Sequence, residues 1–407
     1  MTEFDAELTV VLESLQHRVG GSEDSALDSV IGAAVDWERV FELARWHGVL
    51  PLVEDGLRAL GDDDRTAVVP QRVLSRLDAV SRQKTMRNLE FTNDLHEILQ
   101  ALAERDVRAL PFKGPVLSAF AYGGLTHREF NDLDILVHPD DLSAAADALG
   151  ELGYRWHVDA PRLDDAVILG GPFSAPLVQE YHMHGPGIDV ELRWRVGNSH
   201  EPFPLDFETL WANSETTSVG GRQLRAFGPA DRLLMLAFHG TKHGWYLLKW
   251  VCDFVEALDA TTTDWERFLG RARDLGLEGP VLVGLALATE LFDYDLPAVL
   301  ATRLAGDGQH APLAEQVIAR FATGTPVEPD TVAATLFTLR ATDTHVALLP
   351  LVLARLTLSP TQGEYCLRPL PGPFHPIYYL VRPFRLVADS ISGPLQARLP
   401  RLRSDST

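Results

Sequence analysis

Two aspartates at alternate positions of an apolar run are the residues of this sequence best suited to chemistry. In Asn131-Asp132-Leu133-Asp134-Ile135-Leu136-Val137 the apolar, β-branched residues predict a strand. Strand side chains alternate between faces, so Asp132 and Asp134 share one face while Leu133, Ile135 and Val137 share the other. Carboxylates held this way can chelate Mg²⁺, a hard cation that takes oxygen ligands and is commonly shared between a few acids and substrate phosphates. Phosphate chemistry is the first expectation. A site holding two metals needs a third carboxylate from a neighbouring strand. The segment Ile188-Asp189-Val190-Glu191-Leu192 offers either Asp189 or Glu191 from the polar face of an alternating run.

The elements that must position these acids follow from the surrounding pattern. Val107 to Phe112 reads as a strand, Gly114-Pro115 as a turn, Val116 to Tyr122 as a short helix and Asp132 to Val137 as the next strand, together an α/β unit. Pro139-Asp140-Asp141 opens a helix that Gly153 closes, and strands at Leu177 to Met183 and Ile188 to Val196, split by Gly185-Pro186-Gly187, read as a hairpin. The first hundred residues are helical in period, with a long amphipathic stretch from about Val73 to Glu104. Helical period returns from Pro229, most strongly from Leu233 to Leu258, with further helices around 265–275, 280–292, 313–321 and 332–339. In the strongest segment His239, His243, Tyr246, Trp250 and Asp253 fall on one helical stripe, opposite Leu234, Leu248, Val251 and Val255. His239 and His243 are also spaced for zinc, and a structural network with Asp253 is the plainer reading. Arg128 is placed to bind phosphate or to orient Asp132. His182 and His184 share a strand face beside the third acid, and Arg193 and Arg195 either line the same cleft or face solvent.

Composition bounds the rest. At 407 residues and 46% hydrophobic content the chain can bury a sizeable core divided among more than one unit. We divide it into a helical N-terminal region (1–105), a catalytic core (106–200), a helical domain (201–345) and a C-terminal extension (346–407). That extension, rich in Pro, Arg and aromatics, reads as a packed segment with a frayed basic end; a partner or membrane-surface site is the alternative. No apolar run approaches a membrane span and no secretory leader is visible. The cysteines, Cys252 and Cys366, are too few for a disulfide framework, which points to the cytoplasm. A formal net charge of −21 opposes unspecific binding to nucleic acid, so nucleic acid is not the expected partner. Lysine is scarce, and of Lys84, Lys113, Lys242 and Lys249 the last three fall in the segments singled out above.

Phe112-Lys113-Gly114, Arg128, Asp132-Leu133-Asp134-Ile135-Leu136-Val137, Val190-Glu191-Leu192-Arg193-Trp194, the run from His239 to Asp253 and the N-terminal Leu43-Ala44-Arg45-Trp46-His47-Gly48-Val49 occur in an order that resembles the uncharacterised nucleotidyltransferase family of the DNA polymerase β-like superfamily. The resemblance spans roughly residues 35 to 255 and implies a mixed α/β (α+β) nucleotidyltransferase core with a mixed sheet, flanked by N- and C-terminal helical regions. It implies Mg²⁺-dependent (or Mn²⁺-dependent) transfer of a nucleotidyl group from an NTP to an acceptor hydroxyl, with Asp132, Asp134 and Glu191 as catalytic and metal-binding acids. The matched Glu-Leu-x-Trp frame selects Glu191 over Asp189. Lys113, Gly114, Arg128, His239, Lys242 and His243 become the nucleotide-binding residues, the histidine helix forming one wall of the nucleotide or acceptor cleft. Lys-Gly stands where the wider superfamily has Gly-Ser, so Lys113 and the N–H groups opening the following helix replace a serine hydroxyl. Arg193 occupies a position where relatives often have His. The acceptor expected is a small molecule, peptide or protein. The alternatives are a non-catalytic nucleotide-binding or scaffold protein that keeps the fold, and a toxin-system transferase acting on RNA or a protein.

Overall fold

The acidic run forms the strand that its alternation predicts, Asp132–Val137. Leu133, Ile135, Leu136 and Val137 are buried with Asp134, while Asp132 at the strand's mouth is half-exposed. This computed structural model describes residues 4–20, 35–59, 69–156, 180–197, 203–323, 331–342, 370 and 372–385. The expected strand start at 177–179, Cys366 and most of the C-terminal extension lie outside these residues.

Among the described residues four α-helices precede the sheet: α1 (Ala6–Leu15), which runs on into a π-helical turn at Gln16–Gly20, α2 (Trp37–Trp46), α3 (Leu50–Ala59) and the long α4 (Gln71–Ala103). Asp5 and Asp36 cap α1 and α2, their carboxylates accepting from the first-turn N–H groups of Leu8 and of Glu38 and Arg39. The central unit then runs β1 (Ala109–Pro111), α5 (Gly114–Tyr122), β2 (Asp132–Val137), α6 (Leu142–Glu151), β3 (Arg155–Trp156), β4 (Glu180–His184) and β5 (Asp189–Arg193). It is followed by α7 (Phe207–Ala212) and a hairpin of β6 (Glu215–Val219) and β7 (Arg222–Ala226). The α-helices described between 229 and 341 are α8 (Pro229–Lys242), α9 (Leu248–Asp259), α10 (Trp265–Asp274), α11 (Glu278–Phe292), α12 (Ala298–Ala305), α13 (Ala311–Ala322) and α14 (Thr331–Ala341).

The five strands order as β1-β2-β5-β4-β3. β2 and β5 are parallel and every other neighbouring pair is antiparallel, so the sheet is mixed and the fold is α+β. The parallel register sets Asp132 opposite Asp189 and Asp134 opposite Glu191. One apolar core packs α4 and α6 on the sheet, through Leu95, Ile98, Leu102, Ala145 and Leu149 against Leu133, Ile135, Val190 and Leu192. A second, larger core joins the N-terminal helices to those after 203, with Val40, Leu43, Leu50 and Val53 sharing it with Leu234, Val251, Val255 and Leu285. Among the described residues no helix is long and apolar enough to cross a membrane.

One expectation is corrected. The single helix expected from Leu233 to Leu258 is two, α8 and α9, with Gly244 and Trp245 between them at φ +61° and +53°. The indole of Trp245 is fully buried against the turn that contains Gly240, where an added Cβ would lie 2.5 Å from the ring. Burying that indole, and donating its N–H to Thr241 at 3.3 Å, outweighs the left-handed backbone it requires.

Candidate active site

Asp132, Asp134 and Glu191 line one cleft of about 410 Å³, together with Lys113, Gly114, Arg128, Glu180, Arg193, His239, Lys242, His243, Lys249 and Trp250. The register of β2 and β5 brings Asp134 and Glu191 side by side, and Asp132 opens the same strand face one step nearer the mouth. Asp189, the alternative third acid, is exposed at the sheet's end, accepts from the His184 ring at 2.9 Å and is not part of the cleft lining.

The acids differ sharply in their partners. Burial disfavours ionising Asp134, but Lys113 and Arg193 outweigh it and hold the carboxyl below the ordinary carboxylate range. Lys113 Nζ lies 3.2 Å and Arg193 Nε 3.1 Å from the same oxygen, Asp134 Oδ1. Arg193 also reaches Glu191 Oε2, from Nε at 3.1 Å and closely from Nη2, and its Nη1 pairs with Glu180. Glu191 is raised by burial and by Asp134, although Arg193 opposes this. Asp132 is raised by burial and then by Asp134, and among the described residues its carboxylate makes no hydrogen bond or ion pair.

Glu180, which the sequence reading overlooked, enters because β4 runs antiparallel to β5. That pairing sets Glu180 opposite Arg193 and His182 opposite Glu191. His182 Nε2 lies 3.0 Å from Glu180 and its Nδ1 3.4 Å from Glu191. Glu180, His182 and Glu191 stand close enough together to share an ion. The signal was available in the alternation Glu180-Tyr181-His182-Met183-His184, but only the strand partner could say which face it meets.

On the other wall α5 begins at Gly114, whose φ of +52° is open to glycine and strained for other residues. Lys113 immediately before it sends its side chain to Asp134 instead of capping the helix. Arg128 does not orient Asp132. Its guanidinium is buried against Asp253 of α9, Nε to Oδ1 at 2.8 Å and Nη2 to Oδ2 at 3.0 Å, and Tyr122 donates to the same Oδ1 at 2.9 Å.

The aromatic stripe survives the break between α8 and α9 in part. His239 and His243 meet edge to face at 4.7 Å between ring centroids, as do His239 and Trp250 at 5.4 Å and Tyr246 and Trp250 at 4.8 Å, while His243 and Trp250 are tilted at 5.0 Å. Asp253 is not with them, because α9 restarts after the turn and carries it to Arg128. Burial, reinforced by nearby cations, pushes His239 well below the ordinary histidine range and His243 down to about 3, so both rings are neutral. Among the described residues the groups close enough together to share an ion are Glu180, His182 and Glu191; His239 and His243 are not among them, so a zinc role for them finds no third ligand, and Asp132 and Asp134 are not among them either while Arg193 lies between Asp134 and Glu191.

A mixed sheet whose parallel pair carries acids at 132, 134 and 191 over a cleft walled by lysines has the layout of a nucleotidyltransferase core. A family profile described as uncharacterised nucleotidyltransferase matches residues 33–293, and the chain belongs to that family. The chain is therefore an enzyme of nucleotidyl transfer. Among solved structures it is similar to the solution structure of the antibiotic-resistance factor ANT(2'')-Ia, at 14% identity, over 46% of this chain and 95% of that one, with a TM-score of 0.32. Comparison with curated proteins gave no match.

Proposed function

We propose that this protein moves an NMP group from an NTP to an acceptor hydroxyl on a small molecule, peptide or protein, in a reaction that requires Mg²⁺ or Mn²⁺. The observation that carries this reading is the unpaired carboxylate of Asp132, half-buried beside Asp134 and Glu191 at the mouth of a cleft whose other wall bears Lys113. Burial and Asp134 make an ionised group in that position costly, a cost that Lys113, Lys249 and Arg128 offset only in part and that a bound cation would offset further. The donors are hard oxygen ligands, Asp134 and Glu191 at paired positions of adjacent strands and Asp132 two residues before Asp134, so these three would hold such an ion once Arg193 gives up Asp134 and Glu191. When bound, such an ion neutralises phosphate charge and favours the ionised form of an attacking hydroxyl.

The chain's own residues do the positioning. Lys113 and the N-terminal turn of α5 face the triphosphate, and the neutral surface of His239, His243 and Trp250 offers the nucleobase a stacking platform. The acceptor hydroxyl gives up its proton to solvent at the open mouth of the cleft, its oxygen bonds to the α-phosphorus as the bond to the bridging oxygen breaks, and pyrophosphate leaves with that electron pair. Most of the rate enhancement then comes from alignment and from preorganised charge. An acidic surface argues for a non-nucleic-acid acceptor, the net charge being −21.

The test is incubation of the purified protein with labelled NTPs, Mg²⁺ or Mn²⁺ and cell extract. Label that enters an acceptor in the wild type and not in Asp134→Asn supports the reading. No incorporation with any NTP or metal would overturn it.

A further inference from the structure

Helix α9 has an unusual start. Its N-cap is Leu247, which has no side-chain acceptor, yet its first two N–H groups are satisfied. The N–H of Leu248 donates to Nδ1 of His47 at 3.3 Å and the N–H of Lys249 donates to the His47 carbonyl at 3.2 Å. The capping group is thus 201 residues away from the helix it caps. The next residue, Gly48, is at φ +69°, and a Cβ built there would lie 3.1 Å from Cδ of Lys249. The lysine stem passes over the bare backbone of Gly48 and ends in the cleft.

There its ammonium is only partly balanced, the carboxylates of Asp253, Glu129 and Asp132 acting on it from beyond contact. Arg128 is neutralised by Asp253, and Lys113 and Arg193 by Asp134 and the neighbouring acids. Lys249 donates to the carbonyl of Glu129, a neutral acceptor, and among the described residues no carboxylate touches it. Burial first, then Arg128, push it down to about 8. A cation held in a cleft with no carboxylate in contact suits an anionic ligand.

We propose that Lys249 is a phosphate-contacting residue of the transfer site, on the wall facing Lys113, and that His47 and Gly48 are its positioning residues. This rests on the nucleotidyl-transfer reading of the cleft. It gives a role to the Arg45-Trp46-His47-Gly48-Val49 segment, which lies outside the catalytic sheet: the N-terminal region completes the site by fixing the start of α9.

The probes are inorganic triphosphate and ATP, each with Mg²⁺, titrated calorimetrically into the full-length protein, with thermal melting run alongside. Lys249→Gln keeps a donor for the Glu129 carbonyl and removes the charge; Lys249→Met removes both. The expected result is at least a tenfold loss of triphosphate affinity in Lys249→Gln with melting unchanged, and partial recovery in Lys249→Arg. Gly48→Ala should weaken binding in the wild-type background and add nothing to Lys249→Gln, because both act through one ammonium. If Gly48→Ala does not fold, His47→Leu, which removes the Nδ1 acceptor, takes its place in the cycle. A wild type that binds triphosphate while Lys249→Gln and Lys249→Met bind it equally well would overturn this inference alone. A wild type that binds neither probe would overturn the functional proposal and this inference together.

Discussion

At Arg193 the guanidinium is held by Asp134, Glu191 and Glu180 together, the position from which a metal would have to draw its ligands. Arginine at this point supplies in the metal-free protein the positive charge that three crowded acids need. Two consequences can be measured. Arg193→Gln should lower the stability of the metal-free protein by about 3–5 kcal/mol, the usual cost of removing one partner from a buried ion pair. The melting rise on adding Mn²⁺ should then be larger in Arg193→Gln than in the wild type, because the metal no longer competes with a resident cation; an equal or smaller rise would show that Arg193 and the metal do not share ligands. At Asp134, replacement by Asn should reduce transfer at least a hundredfold with the fold retained, read by single-turnover incorporation and circular dichroism. Asp132 and Asp134 were legible from alternation alone, since facing in a strand is a local property, whereas alternation left Asp189 and Glu191 both open and the Glu-Leu-x-Trp resemblance singled out Glu191. Glu180 and Lys249 were not, because one depends on which strand pairs with β5 and the other on a cap supplied by residue 47.

Helix starts and stops decide how much of the cleft each element contributes. The sequence period placed β2 at its observed bounds and α5 within two residues of its start, while the break between α8 and α9 was invisible. Positive φ at Trp245 is stabilised by a tertiary pocket for its indole, which no local pattern carries. The His47 cap on α9 has its own pH signature. Burial lowers His47 from 6.5 to about 4, so the folded state keeps it neutral where the unfolded chain takes up a proton. Above pH 6.5 both states are neutral and nothing is lost. As pH falls from 6.5 to 4 the unfolded state binds more protons, and stability declines by about 3 kcal/mol from this residue, at 1.36 kcal/mol for each pKa unit. Asn at this position offers an amide oxygen in place of Nδ1 without titrating. Urea unfolding of His47→Asn should therefore show a shallower loss of stability between pH 6.5 and 4 than the wild type, and parallel curves would assign the acid sensitivity elsewhere.

Across the whole molecule, the sheet and the helical core meet at a buried ion pair. Arg128 leaves the loop before β2 and grips Asp253 on α9, with Tyr122 of α5 on the same carboxylate. Arg128→Met should cost about 3–5 kcal/mol by stranding a buried carboxylate, whereas Arg128→Met combined with Asp253→Leu should recover most of that loss. Chemical denaturation of the three proteins checks this, and a double variant as unstable as the single one would show that the pair cannot be replaced by packing. The mixed architecture was readable from the switch between helical and strand periods. The sharing of one apolar core by Val40, Leu43 and Val53 with Leu234, Val251 and Leu285 was not, because amphipathic helices reveal that they have a buried face and not which helix covers it.

The bond from the His47 ring to Leu248 also sets a clock. A chain emerging from the ribosome at about 5–20 residues per second makes His47 roughly 10–40 s before the helix it caps. Through that interval the apolar faces of α2 and α3 have been synthesised without the partners that cover them, and the cleft lacks the wall that carries Lys249. Closing so long a loop is among the slower events in folding. Activity should therefore appear late in refolding, in step with protection of the Leu248 amide, even if the sheet has long since formed.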